Sequence, residues 1–331
     1  MKKEIIYKLV KASGVTEGEL VLVHFWGEDS DKPIANTFME AVSALGASPV
    51  LLQQSRTVNR DIFTVAKDSC FHERYFAMFG AFDAVLDVFA YQPVILGYDI
   101  EKEQFELYRR YMMQIFGALS KLKRFTQIRV PTVANAEESG LEPEEFIARM
   151  NEAYDVEYSA IANACKIKIE GLHRIATPVL HTGENCELHF DLTGREWHID
   201  AGQGDLPCGE VYIAPVEDKT WGNVFFEKLF IEDVGGFDHV ILSISQGQIK
   251  GSNHESVNAF LDSLPESGRI VCELGFGMNP NIRNLCGYTV LDEKMADTFH
   301  IAIGANITFG GENDAPNHID LVGKGHISDR I

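Results

Sequence analysis

The chain has 331 residues, 45% hydrophobic and 24% charged, with 49 acidic against 29 basic side chains and a formal net charge of -20. That length allows two domains, and the composition is that of an ordinary globular protein. The charge argues against nucleic acid or an anionic membrane as partner, since both select basic surfaces, and no stretch approaches the roughly 20 apolar residues of a membrane span.

The segment MKKEIIYKLVKASG reads as an amphipathic helix and not as a signal peptide, because it has no long apolar run and no small-residue cleavage site. ELVLVHFW (19–26) is a near-continuous apolar run, the texture of a strand buried on both faces. Apolar residues spaced by three and four predict a helix over 32–46. SPVLLQ (48–53) and DAVLDVFA (83–90) read as strands, EQFELYRRYMMQIFGALSKL (103–122) as a helix, and RFTQIRVPT (124–132) as a strand ending at a proline. This strand–helix–strand repetition implies a parallel sheet covered on both faces. A last helix is predicted around 143–163.

Beyond it the texture changes. IEGLHRIATPVLHT (169–182), CELHFDLTG (186–194) and REWHIDAG (195–202) read as short antiparallel strands joined by turns. DHVILSISQGQIKG (238–251) reads as further strand, followed by a helix over 254–264. The expected fold is α/β: an N-terminal Rossmann-like parallel-sheet domain over 1–165, then a mixed α+β, strand-rich catalytic domain over 166–331. No G-x-G-x-x-G follows a strand and no G-x-x-x-x-G-K-[ST] occurs, so the parallel sheet does not imply a nucleotide. The cysteines at 70, 165, 186, 208, 272 and 286 form no C-x-x-C pair, which is a reduced, cytoplasmic pattern.

The last third holds the candidate chemistry. Glu210 lies in LPCGEVYIAP, Glu273 in RIVCELGFG, His300 in FHIAIG, and His318 and Asp320 in NHIDLVG. A charged residue in an apolar strand is costly to bury unless it is paired or metal-bound. Each of the five alone reads as a satisfied hydrogen-bonding group. Together they suit a divalent transition metal, and zinc, cobalt and manganese all accept mixed carboxylate and imidazole ligands. His318-x-Asp320 on an extended segment puts both side chains on one face. Five such groups exceed what one ion needs, which points to a two-metal site and so to hydrolysis.

Other residues read more blandly. His198 and Asp200 in WHIDAG repeat the His-x-Asp pattern, and Glu187, His189 and Asp191 alternate along ELHFD. Both are expected to be solvated or hydrogen-bonding strand faces. In LDEKMADTFH, Asp292, Glu293 and Lys294 read as a charged turn; in a functional reading Glu293 or Lys294 supports the metal ligands, or Glu293 is the general base acting on metal-bound water. His24, inside VLVHFW, reads as a core or crevice histidine. No G-x-S-x-G supports a serine nucleophile. Cys208 and Cys272 each neighbour a candidate glutamate, an anion that blunts a thiol by raising its pKa.

The run LPCGEVYIAPVE, then CELGFGMNPNIRNLCGYTVLDEKMADTFHIAIGANITFGG, then NHIDLVG, resembles the aminopeptidase T family of metallo-aminopeptidases, in particular its shorter branch. The resemblance covers most of the chain and is most specific over 200–323. It implies an N-terminal α/β domain, a C-terminal catalytic domain, a homodimer, a small peptide or small-molecule substrate, and two divalent ions. It further implies that the ligands are Glu210, Glu273, His300, His318 and Asp320, with Glu273 bridging. The longer members carry a tyrosine seven residues after the first ligand histidine, where this chain has Ile307. The same superfamily includes an Fe(II) dioxygenase that opens the ring of 2,5-dihydroxypyridine. That enzyme keeps the equivalents of neither Glu210 nor His300 and has a histidine in place of Glu273, so this chain follows the hydrolase at all three positions. A third reading is a binding homologue that kept the cleft and lost activity.

Overall fold

The computed structural model describes residues 1–93 and 100–329. They form two compact units: Met1–Asp155 with Gly202–Pro207, and Val156–Ala201 with Cys208–Ile331. The division runs between 155 and 156, where the sequence texture places a change near 165.

In the first unit, helix α1 (Lys3–Ala12) buries Ile5, Ile6, Leu9 and Val10 on one face. Strand β1 (Leu20–Trp26) leads to α2 (Lys32–Ala44), which opens with Pro33 in its first turn, where a missing N–H costs nothing. Strand β2 (Ser48–Gln54) is followed by α3 (Arg56–Val65), capped by Ser55, whose hydroxyl accepts from the Val58 N–H. After α4 (Glu73–Ala77) come β3 (Ala84–Phe89), α5 (Lys102–Leu119), β4 (Arg124–Arg129), α6 (Val133–Glu138) and α7 (Pro143–Tyr154). The sheet order is β2-β1-β3-β4 with every neighbour parallel. β1 and β3 are central and almost fully buried, as their continuous apolar runs require, and Pro49 sits on edge strand β2.

The second unit begins with α8 (Tyr158–Leu172). The predicted helix over 143–163 is therefore two helices, broken between Tyr154 and Tyr158, and the strand predicted from 169 starts only at Pro178. Ile161, Cys165 and Leu172 explain the longer helix: they fall on one helical face and enter the core. Strands β5 (Pro178–Gly183), β6 (Cys186–His189) and β7 (His198–Asp200) follow. The chain then supplies β8 (Asp205–Leu206) to the parallel sheet beside β4, within the first unit. Next come β9 (Glu210–Ile213), β10 (Trp221–Ile231), β11 (Gly235–Ser245) and β12 (Gln248–Ser252). The predicted strand over 238–251 is thus a hairpin. It turns at Gln246 and Gly247, both at positive φ, the geometry that joins antiparallel strands through two residues. Helix α9 (Glu255–Ser263), β13 (Val271–Gly277), α10 (Thr289–Asp292), β14 (Phe299–Gly304), β15 (His318–Gly323) and β16 (His326–Asp329) complete the unit.

Its strands form two sheets, ordered β12-β11-β10-β6-β5-β16 and β15-β14-β13-β9-β7. They share one apolar core: Val224, Phe226 and Leu242 from the first, Val211, Leu274, Phe299, Ile301 and Leu321 from the second. Phe226 meets Phe299 at 5.6 Å between ring centroids. One face of the five-stranded sheet is spent on this core, which leaves the alternate residues free for chemistry.

Candidate metal centre

Period-2 alternation sorts the five-stranded sheet into two faces. Val211, Ile213, Leu274, Phe276, Phe299, Ile301, Ile303 and Leu321 face the core. The opposite face carries Glu210 and Tyr212 on β9, Glu273 and Gly275 on β13, His300 on β14, and His318 and Asp320 on β15. The register fixes their rows: Asp200 opposes Glu210, Tyr212 opposes Gly275, Gly275 opposes His300, and Ala302 stands between Glu273 and Asp320.

Glu273 needs a further device. In a regular strand Val271 and Glu273 would share a face, yet Val271 is in the core. The register shifts between them, so a bulge at Cys272 turns Val271 inward and Glu273 toward the ligand face. Gly275 is required for a different reason. A Cβ there would stand 1.9 Å from His300 Nε2, so the imidazole occupies the space above the glycine.

All five sequence candidates converge. Glu210, Glu273 and His300 place ligand atoms within 4.8 Å of one another, and so do Glu273, His318 and Asp320. The two triads share Glu273. Its Oε1 is 3.2 Å from His300 Nε2 and its Oε2 is 3.5 Å from His318 Nε2. His300 Nε2 is also 3.4 Å from Glu210 Oε2, and His318 Nε2 is 3.7 Å from Asp320 Oδ2. His318 Nδ1 lies 2.9 Å from the Ala305 carbonyl oxygen. A proton on Nδ1 donated to that carbonyl leaves Nε2 with its lone pair toward the carboxylates, the arrangement of a ligating histidine. His300 Nδ1 is buried and has no hydrogen-bond partner among the described residues.

Glu293 and Lys294 complete the cluster. Lys294 is 2% exposed, and its Nζ donates to Glu210 Oε1 at 2.5 Å and to Glu293 Oε1 at 2.7 Å. Glu293 in turn lies beside Asp320. One buried lysine thus ties a ligand of each triad, Glu210 directly and Asp320 through Glu293. Asp292 has a structural task, accepting from the backbone N–H groups of Cys286 and Gly287.

Four carboxylates with one lysine in this space leave excess negative charge. Burial pushes the Glu210 carboxyl up to about 8, with Glu293 and Glu273 adding to the rise. Burial and then Glu293 and Glu273 raise Asp320 well above the carboxylate range. Burial would raise Glu293 as well, but Lys294 and His300 outweigh it and hold that carboxyl below its ordinary value. For His300, burial opposes charge, but Glu273 and Glu210 prevail and raise it. Divalent cations offset this kind of surplus, and the donor set fits them: oxygen and imidazole nitrogen in two convergent triads.

Residues read as bland fall in several places. His24 is fully buried in the first unit, bonded to Asp87. His189 stacks on Trp221 at 3.8 Å in the other sheet, away from the ligand face. His198 and Asp200, read as a solvated face, lie on β7 alongside Glu210 and Tyr212, and Asp200 is buried. Ile307 is 55% exposed on a short turn. Cys208 and Cys272 are buried, and burial first of all pushes both thiols up. Lys294 reads from the sequence as part of a charged turn or as a group that supports the ligands, and Tyr212 is not among the sequence candidates. The signal for Tyr212 was available: it stands two residues after Glu210 and therefore on the same face.

A family model described as thermophilic metalloprotease (M29) matches residues 8–322. The chain belongs to that family. The resemblance to the aminopeptidase T family is borne out, and the activity that goes with the family is that of a metallo-aminopeptidase. Two solved structures share the fold. Wild-type AmpT from Thermus thermophilus has a TM-score of 0.68 at 18% identity, covering 99% of this chain and 98% of its own. The 2,5-dihydroxypyridine dioxygenase from Pseudomonas putida KT2440 has a TM-score of 0.62 at 16% identity, covering 98% and 92%. No curated protein sequence matches the chain.

Proposed function

We propose that the enzyme removes N-terminal residues from small peptides at a centre of two divalent ions, zinc, cobalt or manganese. Glu210, Glu273 and His300 would hold one ion and Glu273, His318 and Asp320 the other. The observation that carries this reading is Glu273, with one carboxylate oxygen toward His300 and the other toward His318. When bound, such a pair supplies Lewis acidity, which polarises a carbonyl and makes water a better acid.

The chain's own groups do the rest. Lys294 fixes Glu293 beside Asp320, so the Glu293 carboxylate is oriented to take the proton of the attacking water and pass it to the leaving amine. The surplus of acidic groups on the ligand face favours a substrate whose free α-amine is cationic. A cytoplasmic homodimer belongs to the same reading, supported by the family resemblance. Among the described residues no helix is long and apolar enough to cross a membrane.

Glu273→Gln tests the proposal. Turnover of leucine amide should fall to background, because the amide offers only one good ligand oxygen, while the melting temperature is maintained. Retained turnover with a normal metal content would sink it. An Fe(II) dioxygenase built on His300, His318 and Asp320 would instead show oxygen uptake with a dihydroxypyridine. The presence of Glu210 and Glu273 within reach of His300 favours hydrolysis.

A further inference from the structure

Tyr212 follows Glu210 by two residues on β9, so its side chain leaves the sheet on the ligand face. Gly275 is its cross-strand neighbour on one side and His198 on the other. Gly275 pairs in turn with His300, whose ring fills the space above that glycine. Gly275 therefore puts no side chain between Tyr212 and His300 on that face. Two aromatic contacts hold the phenol ring. It stacks on His198 with centroids 5.3 Å apart and meets Phe309 edge-on at 5.5 Å. Phe309 also meets His318 at 5.9 Å. The ring is therefore fixed between β7, which carries His198, and the turn that packs on His318.

The hydroxyl is treated differently from the ring. The Tyr212 hydroxyl forms no hydrogen bond with any described residue, and it lies within reach of the Glu210 and Glu273 charges. A half-buried phenol usually finds a partner for its O–H. Here the ring is immobilised, and the donor is left for something that is not part of the protein.

We propose that Tyr212 is a catalytic residue whose hydroxyl donates a hydrogen bond to the carbonyl oxygen of the scissile amide. This rests on the aminopeptidase reading above. As the water oxygen bonds to the carbonyl carbon, the π pair moves onto the carbonyl oxygen, and the phenol stabilises that charge while keeping its own proton. When the pair returns, the C–N bond breaks, the amine leaves with the proton taken from water, and the tyrosine is unchanged. A phenol is protonated at neutral pH and gives a fixed donor at the cost of two torsions, which suits a group aimed where charge develops.

Tyr212→Phe removes one oxygen and preserves both ring contacts. Wild type and variant, loaded with the same ion, are compared by kinetics on leucine amide, by calorimetric binding of a phosphinic dipeptide analogue and of free leucine, and by metal content. We expect kcat to fall about 10²- to 10³-fold with KM changed less than about threefold. The phosphinate, whose tetrahedral oxygens stand for the hydrated carbonyl, should bind at least about tenfold more weakly, with leucine binding and ion count unchanged. A kcat within about threefold of wild type overturns the assignment. So does loss of an ion from the variant, which would make the phenol a ligand. A wild type without turnover on any peptide amide overturns the parent reading and this one with it. That result is distinct from an active wild type with an indifferent variant.

Discussion

Each unit buries a histidine against carboxylate, and the two clusters are built on opposite principles. In the first unit, His24 Nδ1 is 2.8 Å from Asp87 Oδ1, and His24 Nε2 is 3.0 Å from the Gln54 side-chain nitrogen. Trp26 donates to the same Asp87 oxygen and Gln127 to the other. Gln54 itself donates to Tyr111 and accepts from Asn59. One acid serves one imidazole, and both ring nitrogens have partners. In the second unit Glu210, Glu273, Glu293 and Asp320 crowd around His300, His318 and Lys294, and His300 Nδ1 has no partner among the described residues. A closed network stabilises a core and binds nothing. An open one with surplus acid is arranged for a cation.

The contrast can be broken from either side. The largest effect is expected from Gly275→Ala. The new methyl displaces the His300 ring, so turnover should fall to background and the centre should lose an ion. The cost in stability should be only about 1–3 kcal/mol, that of overpacking one methyl. Metal content and thermal melting check both statements, and a variant that keeps its full complement of ions would show that His300 is not a ligand. A smaller and opposite effect is expected from Asp87→Ala. It strands two buried donors, from His24 and Trp26, and a half-buried one from Gln127, and should cost about 3–5 kcal/mol by denaturant unfolding. The ion count should be unaffected. If Asp87→Ala empties the centre, the two clusters are not independent in the sense argued.

The sequence showed the first unit's sheet well because central parallel strands are buried on both faces and so read as apolar runs, as β1 and β3 do. Helix α3 was not predicted although Val58, Ile62, Phe63 and Val65 recur at helical spacing; of these four only Phe63 is buried. At the centre, the five candidate ligands were legible because acids and imidazoles inside apolar strands are costly unless used. The bulge at Cys272 was not, since alternation predicts the same face for Val271 and Glu273 and only the pairing reveals the shift. Lys294 was hidden by its neighbours: Asp292, Glu293 and Lys294 look like a solvated turn, and only the folded chain shows the lysine 2% exposed between two carboxylates. Tyr212 drew no reading from the sequence, because its ring contacts come from β7 and from the turn that carries Phe309, both distant along the chain.

The central proposal is that the ligand face of β9, β13, β14 and β15 would hold two ions, with Glu273 common to both triads. The most direct measurement is metal content by mass spectrometry on protein purified without chelator and without added metal. The account predicts about two ions of zinc, cobalt or manganese per chain. A protein that carries none, and takes up none on titration with those three metals, would contradict it.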